Sequence, residues 1–280
     1  MSSLWNSPAS ARGEVRIPWM IPLRAGALAI VLGLAQLPDA AGQHTLSGPA
    51  GLVERLGNVM RGRVQLEGGY TFVHDRIAGA TISEHVLPDL LLRVGLTDRL
   101  EVRLGWPGYL ARSHDAPWSE LPEGEVLDPN VGLMFDLFPQ HGWIPQTAVA
   151  GAVPITLHGN LFAMDSFQPL GQVLYCWELG ERTALVGTTG VAQRRDPGDD
   201  YLQFQQTACL DYLLTDRLDV FAEWEMLVDH GSADDGSQHM LGGGIGYLWT
   251  DALQVSWKAG VGLDASAPDF LTGIRFALRF

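Results

Sequence analysis

The feature that most constrains this chain is alternation. From Arg63 to the last residue, apolar and polar side chains change places at every second position in segments of strand length, as in Leu100-Glu101-Val102-Arg103-Leu104-Gly105-Trp106 and Leu253-Gln254-Val255-Ser256-Trp257-Lys258-Ala259. Successive side chains of an extended strand point to opposite faces, so each segment has one greasy face and one polar face. Helix-period spacing is confined to Leu52 to Met60. Two all-β architectures accommodate such a chain. A soluble sandwich would turn the apolar faces inward, whereas a membrane barrel would turn them toward lipid and keep the polar faces in the lumen.

Repeated turns favour the barrel. Leu96-Thr97-Asp98-Arg99-Leu100-Glu101-Val102 recurs as Leu214-Thr215-Asp216-Arg217-Leu218-Asp219-Val220 and as Trp249-Thr250-Asp251-Ala252-Leu253-Gln254-Val255, with a weaker copy at Leu179-Gly180-Glu181-Arg182. Asp and Thr side chains can accept from the backbone N–H groups that follow them, which suits tight hairpins. Strands laid around these turns number twelve: 63–73, 86–95, 100–109, 127–137, 146–154, 170–179, 183–192, 203–214, 218–228, 238–248, 252–262 and 270–280. Short links near 97, 138–145, 181, 216 and 250 interleave with longer polar loops at 74–85, 110–126, 155–169, 193–202, 229–237 and 263–269. An even strand count with short links at one rim and long links at the other is the pattern of outer-membrane barrels, and closure removes the exposed edges that an open sheet would present. The expected fold is therefore an all-β, antiparallel transmembrane barrel of about 12 strands with short periplasmic turns and longer outer loops.

The amino terminus reads as an address. Arg12, Arg16 and Arg24 precede the apolar run Ala25 to Ala35, and small residues follow at Pro38-Asp39-Ala40-Ala41-Gly42. These are the three parts of a secretory signal, with cleavage after Gly42; eleven apolar residues are too few to span a bilayer as a helix. The expected organisation is a signal at 1–42, a short periplasmic segment at 43–62 and a barrel at 63–280. Without the signal the chain keeps 15 basic and 30 acidic residues, a formal charge of −15. That balance repels phosphate backbones and argues against nucleic acid as a partner. The acids of the outer loops (Asp115, Glu120, Glu123, Glu125, Asp199, Asp200, Asp234 and Asp235) would make a negative funnel at the mouth.

The last strand places Phe270, Thr272, Ile274, Phe276, Leu278 and Phe280 on one face and ends on an aromatic residue. It resembles the carboxy-terminal strand by which outer-membrane proteins are recognised by the insertion machinery, a role the resemblance assigns to Phe276, Leu278 and Phe280. A wider similarity is carried by the turn-strand Gly95 to Gly105, by Asp128-Pro129-Asn130-Val131-Gly132-Leu133-Met134-Phe135, by Pro154-Ile155-Thr156, by Pro268-Asp269-Phe270 and by Arg275-Phe276. These segments resemble the transporter-like outer-membrane family named for the meta-pathway of phenol degradation. The chain departs from the family pattern at Leu133-Met134, where a basic residue is usual, and at Pro154-Ile155-Thr156, where Pro-Thr-Gly is usual. The resemblance implies passage of small molecules, aromatic or hydrophobic ones among them, without fixing a solute.

Catalytic motifs are lacking: the sequence has no Gly-x-Ser-x-Gly elbow, P-loop, His-Glu-x-x-His or paired-Cys motif. The expectation is a protein that is not an enzyme and needs no cofactor or metal. Ser113-His114-Asp115 and His158 are the candidates for an outer-wall lipid hydrolase, and all fall in expected loops. The loop Asp229 to His239 gathers carboxylates and imidazoles, at spacings that do not match an EF-hand. Cys176 and Cys209 fall two strands apart, too far for a bridge.

The polar faces carry the more specific expectation. Glu178, Asp211, Asp219, Glu223 and Glu225 form an acidic lumen wall; Arg63, Arg93, Arg103, Lys258, Arg275 and Arg279 form a basic one. Opposed walls would set up a transverse field that orients dipolar solutes. Ordinary ion pairing that fills a narrow barrel is the alternative, and Glu67, Asp89 and Glu101 within the basic sector speak for it. The partners expected are outer-membrane lipid, the insertion machinery and a small solute; a structural barrel that binds a partner without transport is the other reading.

Overall fold

The computed structural model describes residues 59, 61–77, 79–115, 124–155, 168–196, 199–231 and 236–280. The segment expected to be a signal, 1–42, and nearly all of 43–60 lie outside the described residues. The strands are β1 (Val64–Ile77), β2 (Ala80–Gly95), β3 (Leu100–His114), β4 (Gly124–Val126), β5 (Asn130–Phe138), β6 (Gln146–Pro154) and β7 (Leu170–Glu178). They continue as β8 (Thr183–Asp196), β9 (Asp199–Thr215), β10 (Leu218–His230), β11 (Gly236–Thr250), β12 (Leu253–Gly262) and β13 (Phe270–Arg279). Every neighbour pairs antiparallel, β1 with both β2 and β13, and the β2–β3 pairing closes the ring. β4 and β5 share one place in that ring: β5 pairs with Leu100–Gly105 of β3 and β4 with Tyr109–Ala111. The barrel thus has twelve staves, one of them broken.

The break has a local cause. Gly108 holds φ +89°, and a Cβ there would collide with the backbone of Leu87. Its carbonyl accepts from Leu127 N at 2.9 Å, Pro129 has no N–H to offer, and Leu127 turns inward to pack with Val73, Val86 and Leu110.

Polarity runs inside out. On β3, Leu104 and Trp106 face outward and exposed while Glu101 and Arg103 are buried inside, and the same division holds around the ring. Outward Leu133, Leu210, Ile245, Trp257 and Ile274 form the apolar wall. In water this arrangement would expose the whole apolar face; in lipid it is the stable one. Aromatic rings gather at the short-link rim, where Trp143, Trp249 and Phe280 are the most exposed of the large apolar side chains. Polar groups on the lipid face satisfy one another: Thr189 Oγ1 donates to Gln206 Oε1 at 2.6 Å, and Gln206 Nε2 donates to the Tyr175 hydroxyl and to Thr207 O.

The repeated turns form as their sequence implies, with threonine as the working residue. Thr97 Oγ1 accepts from Arg99 N and Leu100 N, Thr215 Oγ1 from Arg217 N and Leu218 N, and Thr250 Oγ1 from Ala252 N and Leu253 N, all between 2.9 and 3.3 Å.

Two expected long loops are instead tight hairpins. β1 runs to Ile77 and β2 starts at Ala80; β8 runs to Asp196 and β9 starts at Asp199. β9 has 17 residues where about 9–11 suffice to cross a bilayer. Above the lipid the outward residues become polar (His74, Arg76, Thr81, Ser83), so the alternation fades although the pairing continues, His74 opposite Ser83.

Candidate lumen and its charged network

The lumen is built from the inward residue of each strand, and its charges are compensated locally. Glu101 is fully buried. It accepts from Arg93 Nε at 2.7 Å and Nη2 at 2.9 Å, and from Arg103 Nε at 2.8 Å. Arg93 Nη1 also reaches Glu67 at 3.2 Å, Gln65 Nε2 donates to Glu67, and Arg279 donates to Gln65 Oε1, so one network links β13, β1, β2 and β3. The backbone N–H of Val59, which is itself buried, donates to Glu101 Oε2 at 2.6 Å. The chain ahead of β1 therefore turns back into the short-link end, through Gly62 at φ +76°, whose N–H donates to Gly95 O.

A second cluster sits near mid-height. Lys258 Nζ lies 3.9 Å from Glu223 and 3.6 Å from Glu225, although β12 and β10 are separated by β11. The reach is possible because β11 presents Gly242 and Gly244 between them. Arg275 pairs with Asp89, and Arg112 pairs with Glu84 at 2.6 Å toward the long-link rim. Two apolar clusters lie among the inward side chains. One holds Met134, Leu174, Cys176, Val186, Cys209 and Phe221; the other holds Val73, Val86, Leu110, Leu127, Met240 and Leu271.

The residues expected on the acidic wall separate. Glu223 and Glu225 meet Lys258, Asp211 and Asp219 are buried on β9 and β10, and Glu178 is exposed at the end of β7, where its backbone N–H donates to Gln140 Oε1. On the basic side Arg93, Arg103, Lys258, Arg275 and Arg279 point inward, whereas Arg63 is exposed ahead of β1. Gln65, which joins the network, and the separate Glu84–Arg112 pair are not singled out by the sequence. Glu84 and Arg112 lie where the alternation loses its apolar outer face. Phe276, Leu278 and Phe280 lie on the outward face of the closing strand.

The other motifs do not converge. Ser113 faces outward and His114 inward, as consecutive strand residues must, and Asp115 Oδ1 accepts from Thr81 N at 2.6 Å. His158 lies outside the described residues. In the 229–239 segment, Asp229 accepts from Gln203 Nε2 and His239 stacks on Trp224, while 232–235 lie outside the described residues. Among the described residues no three carboxylate, imidazole or thiol groups gather as a metal site. Cys176 and Cys209 are buried in one row with Val186 of β8 between them, and neither is in a disulfide.

In fold, the chain is similar to the crystal structure of an outer membrane channel from Pseudomonas putida F1. The two are 14% identical with a TM-score of 0.58, over 81% of this chain and 100% of that one. The NanC porin is also similar, at 6% identity and a TM-score of 0.49 over 77% of this chain and 98% of that one. No curated protein matches the sequence. Residues 56–280, the whole barrel, match the model of the family described as the MetA-pathway of phenol degradation, and the chain, an outer-membrane β-barrel, belongs to that family.

Proposed function

We propose that this protein is a narrow outer-membrane channel that passes small solutes, aromatic or hydrophobic ones among them. The observation that carries this reading is the distribution of small residues inside. Gly105, Gly132, Ala150 and Ala152 line the interior side by side on β3, β5 and β6, next to the Arg93–Glu101–Arg103 network. A barrel that served only as a scaffold would fill that space with larger side chains. The family's link to phenol degradation and the likeness in fold to a channel point the same way. Outer-membrane lipid covers the apolar wall, and Phe276, Leu278 and Phe280 serve the insertion machinery. The hydrolase reading loses support because Ser113 and His114 lie on opposite faces of the wall.

Planar-bilayer recording of the purified, folded barrel tests the proposal. Small discrete conductance steps, with flux of small uncharged aromatics into vesicles, are expected. A folded, inserted barrel that passes neither ions nor solutes would leave the structural reading standing.

A further inference from the structure

Two buried glutamine amides facing the lumen, on β7 and β9, have nitrogens without a hydrogen-bond partner. Gln172 is 6% exposed, and its Nε2 has no hydrogen-bond partner. One row continues from Met134 through Ala150, Gln172 and Gly190 to Gln205, by direct strand pairing. Gln205, also buried, likewise has an Nε2 without a partner, and its amide leans over Gly190, where a Cβ would collide with it. On the other side Arg103 Nη2 faces the Met134 sulfur, a weak acceptor for a guanidinium. A buried donor left without an acceptor costs free energy, and each such group in a native interior calls for an explanation.

These donors border a cavity. It is lined by Arg103 and Gln172, by Asn130, and by the apolar side chains of Leu91, Ala152 and Leu170. Glycines at 105 and 132 keep its floor clear, and the Asn130 amide lies across Gly105.

We infer that this cavity is a binding subsite for a small organic acid: a carboxylate whose oxygens take the Gln172 amide and the Arg103 guanidinium, with an apolar body against Leu91, Ala152 and Leu170. Both donors line the same cavity, and a charge-assisted hydrogen bond to guanidinium is stronger than one to a thioether. An amine of the same shape would bring a second cation beside the Arg103 guanidinium that lines the cavity, and like charges repel. The assignment deepens the channel reading and rests on it, because a carrier of solutes needs a place that selects them.

Benzoate is the probe, with benzylamine as the cation of like shape. Equilibrium dialysis on the purified, heat-modifiable barrel is expected to show saturable benzoate binding and none of benzylamine. Gln172→Met, which keeps the volume and removes the donor, is expected to weaken benzoate binding about tenfold or more. Ala152→Leu, which fills the cavity without touching a polar group, is expected to abolish it. Failure of the folded wild-type barrel to bind benzoate, equal binding of benzylamine, or binding unchanged in either folded variant would overturn the assignment. Conductance measured on the same preparation keeps the two readings apart: conductance without benzoate binding sinks the subsite alone, and benzoate binding without conductance or flux sinks the channel alone.

Discussion

Glu101 shows how much a single buried residue can hold in such an interior. It has no exposure, and its two oxygens accept from Arg93, Arg103 and the Val59 backbone. Burying two guanidinium groups is costly unless a carboxylate compensates them, and removing one member of a buried network typically costs about 3–5 kcal/mol. Glu101→Gln keeps the shape and one acceptor and removes the charge. The expected result is a folded-state stability lower by roughly 3 kcal/mol, read as a lower urea midpoint in lipid vesicles; an unchanged midpoint would show that the guanidiniums are compensated elsewhere. The sequence already marked Glu101 as an acid set among basic neighbours. Its partners were harder to read. Arg93 lies opposite Arg103 across the hairpin, and the two share one carboxylate on the neighbouring position, a geometry that depends on side-chain reach and not on spacing. The donors of Gln172 and Gln205 were illegible for a related reason, since an amide without a partner looks like any other glutamine until its surroundings are known.

At the scale of elements, the turns were the most legible part of the fold and the strand ends the least. Three copies of one motif place a threonine hydroxyl under two backbone N–H groups, a purely local arrangement, and local arrangements are what short sequences encode. Replacing Thr97, Thr215 or Thr250 by Ala should cost each hairpin about 1 kcal/mol, and the triple variant should add because the turns are separate. Refolding yield in detergent, followed by the fraction migrating as the heat-sensitive form, checks this. A triple variant that refolds like the wild type would mean that the strands alone set the register. The extended hairpins of β1–β2 and β8–β9 escaped notice because the cue used to find strands, an apolar outer face, is a property of lipid contact and vanishes where the strand rises above the bilayer. The broken stave escaped for the opposite reason: the 127–137 segment reads as continuous, yet Gly108 on the neighbouring strand interrupts the ladder at Leu127 to Pro129.

For the whole molecule, the order of strands around the ring could be read from link lengths, whereas which charges meet inside it could not. Lys258 and the pair Glu223 and Glu225 sit on strands that are not neighbours, and they touch because glycines of β11 leave the space between them empty. This cluster carries a formal charge of −1 in the middle of a chain whose formal net charge is −14. At the long-link rim Asp115, Glu125 and Asp200 extend the same sign, while Glu120, Glu123, Asp234 and Asp235 lie outside the described residues. Field lines in a narrow, low-dielectric lumen are screened less than at an open surface, so the mid-height charge should weigh more on permeating ions than an equal charge at the mouth. Replacing Glu223 and Glu225 together by Gln changes the cluster from −1 to +1 with little change in volume, removing two carboxylates beside Lys258. The expected outcome is a lower cation preference, read as a reversal potential shifted toward the anion side in a salt gradient, and largest at low ionic strength where the Debye length is longest. Mutating rim acids such as Glu125 should instead change the rate of ion entry more than the selectivity. An unchanged reversal potential in a conducting E223Q/E225Q barrel would show that permeating ions pass on the far side of the lumen from Lys258, along the sector lined by Gly105, Gly132 and Ala150.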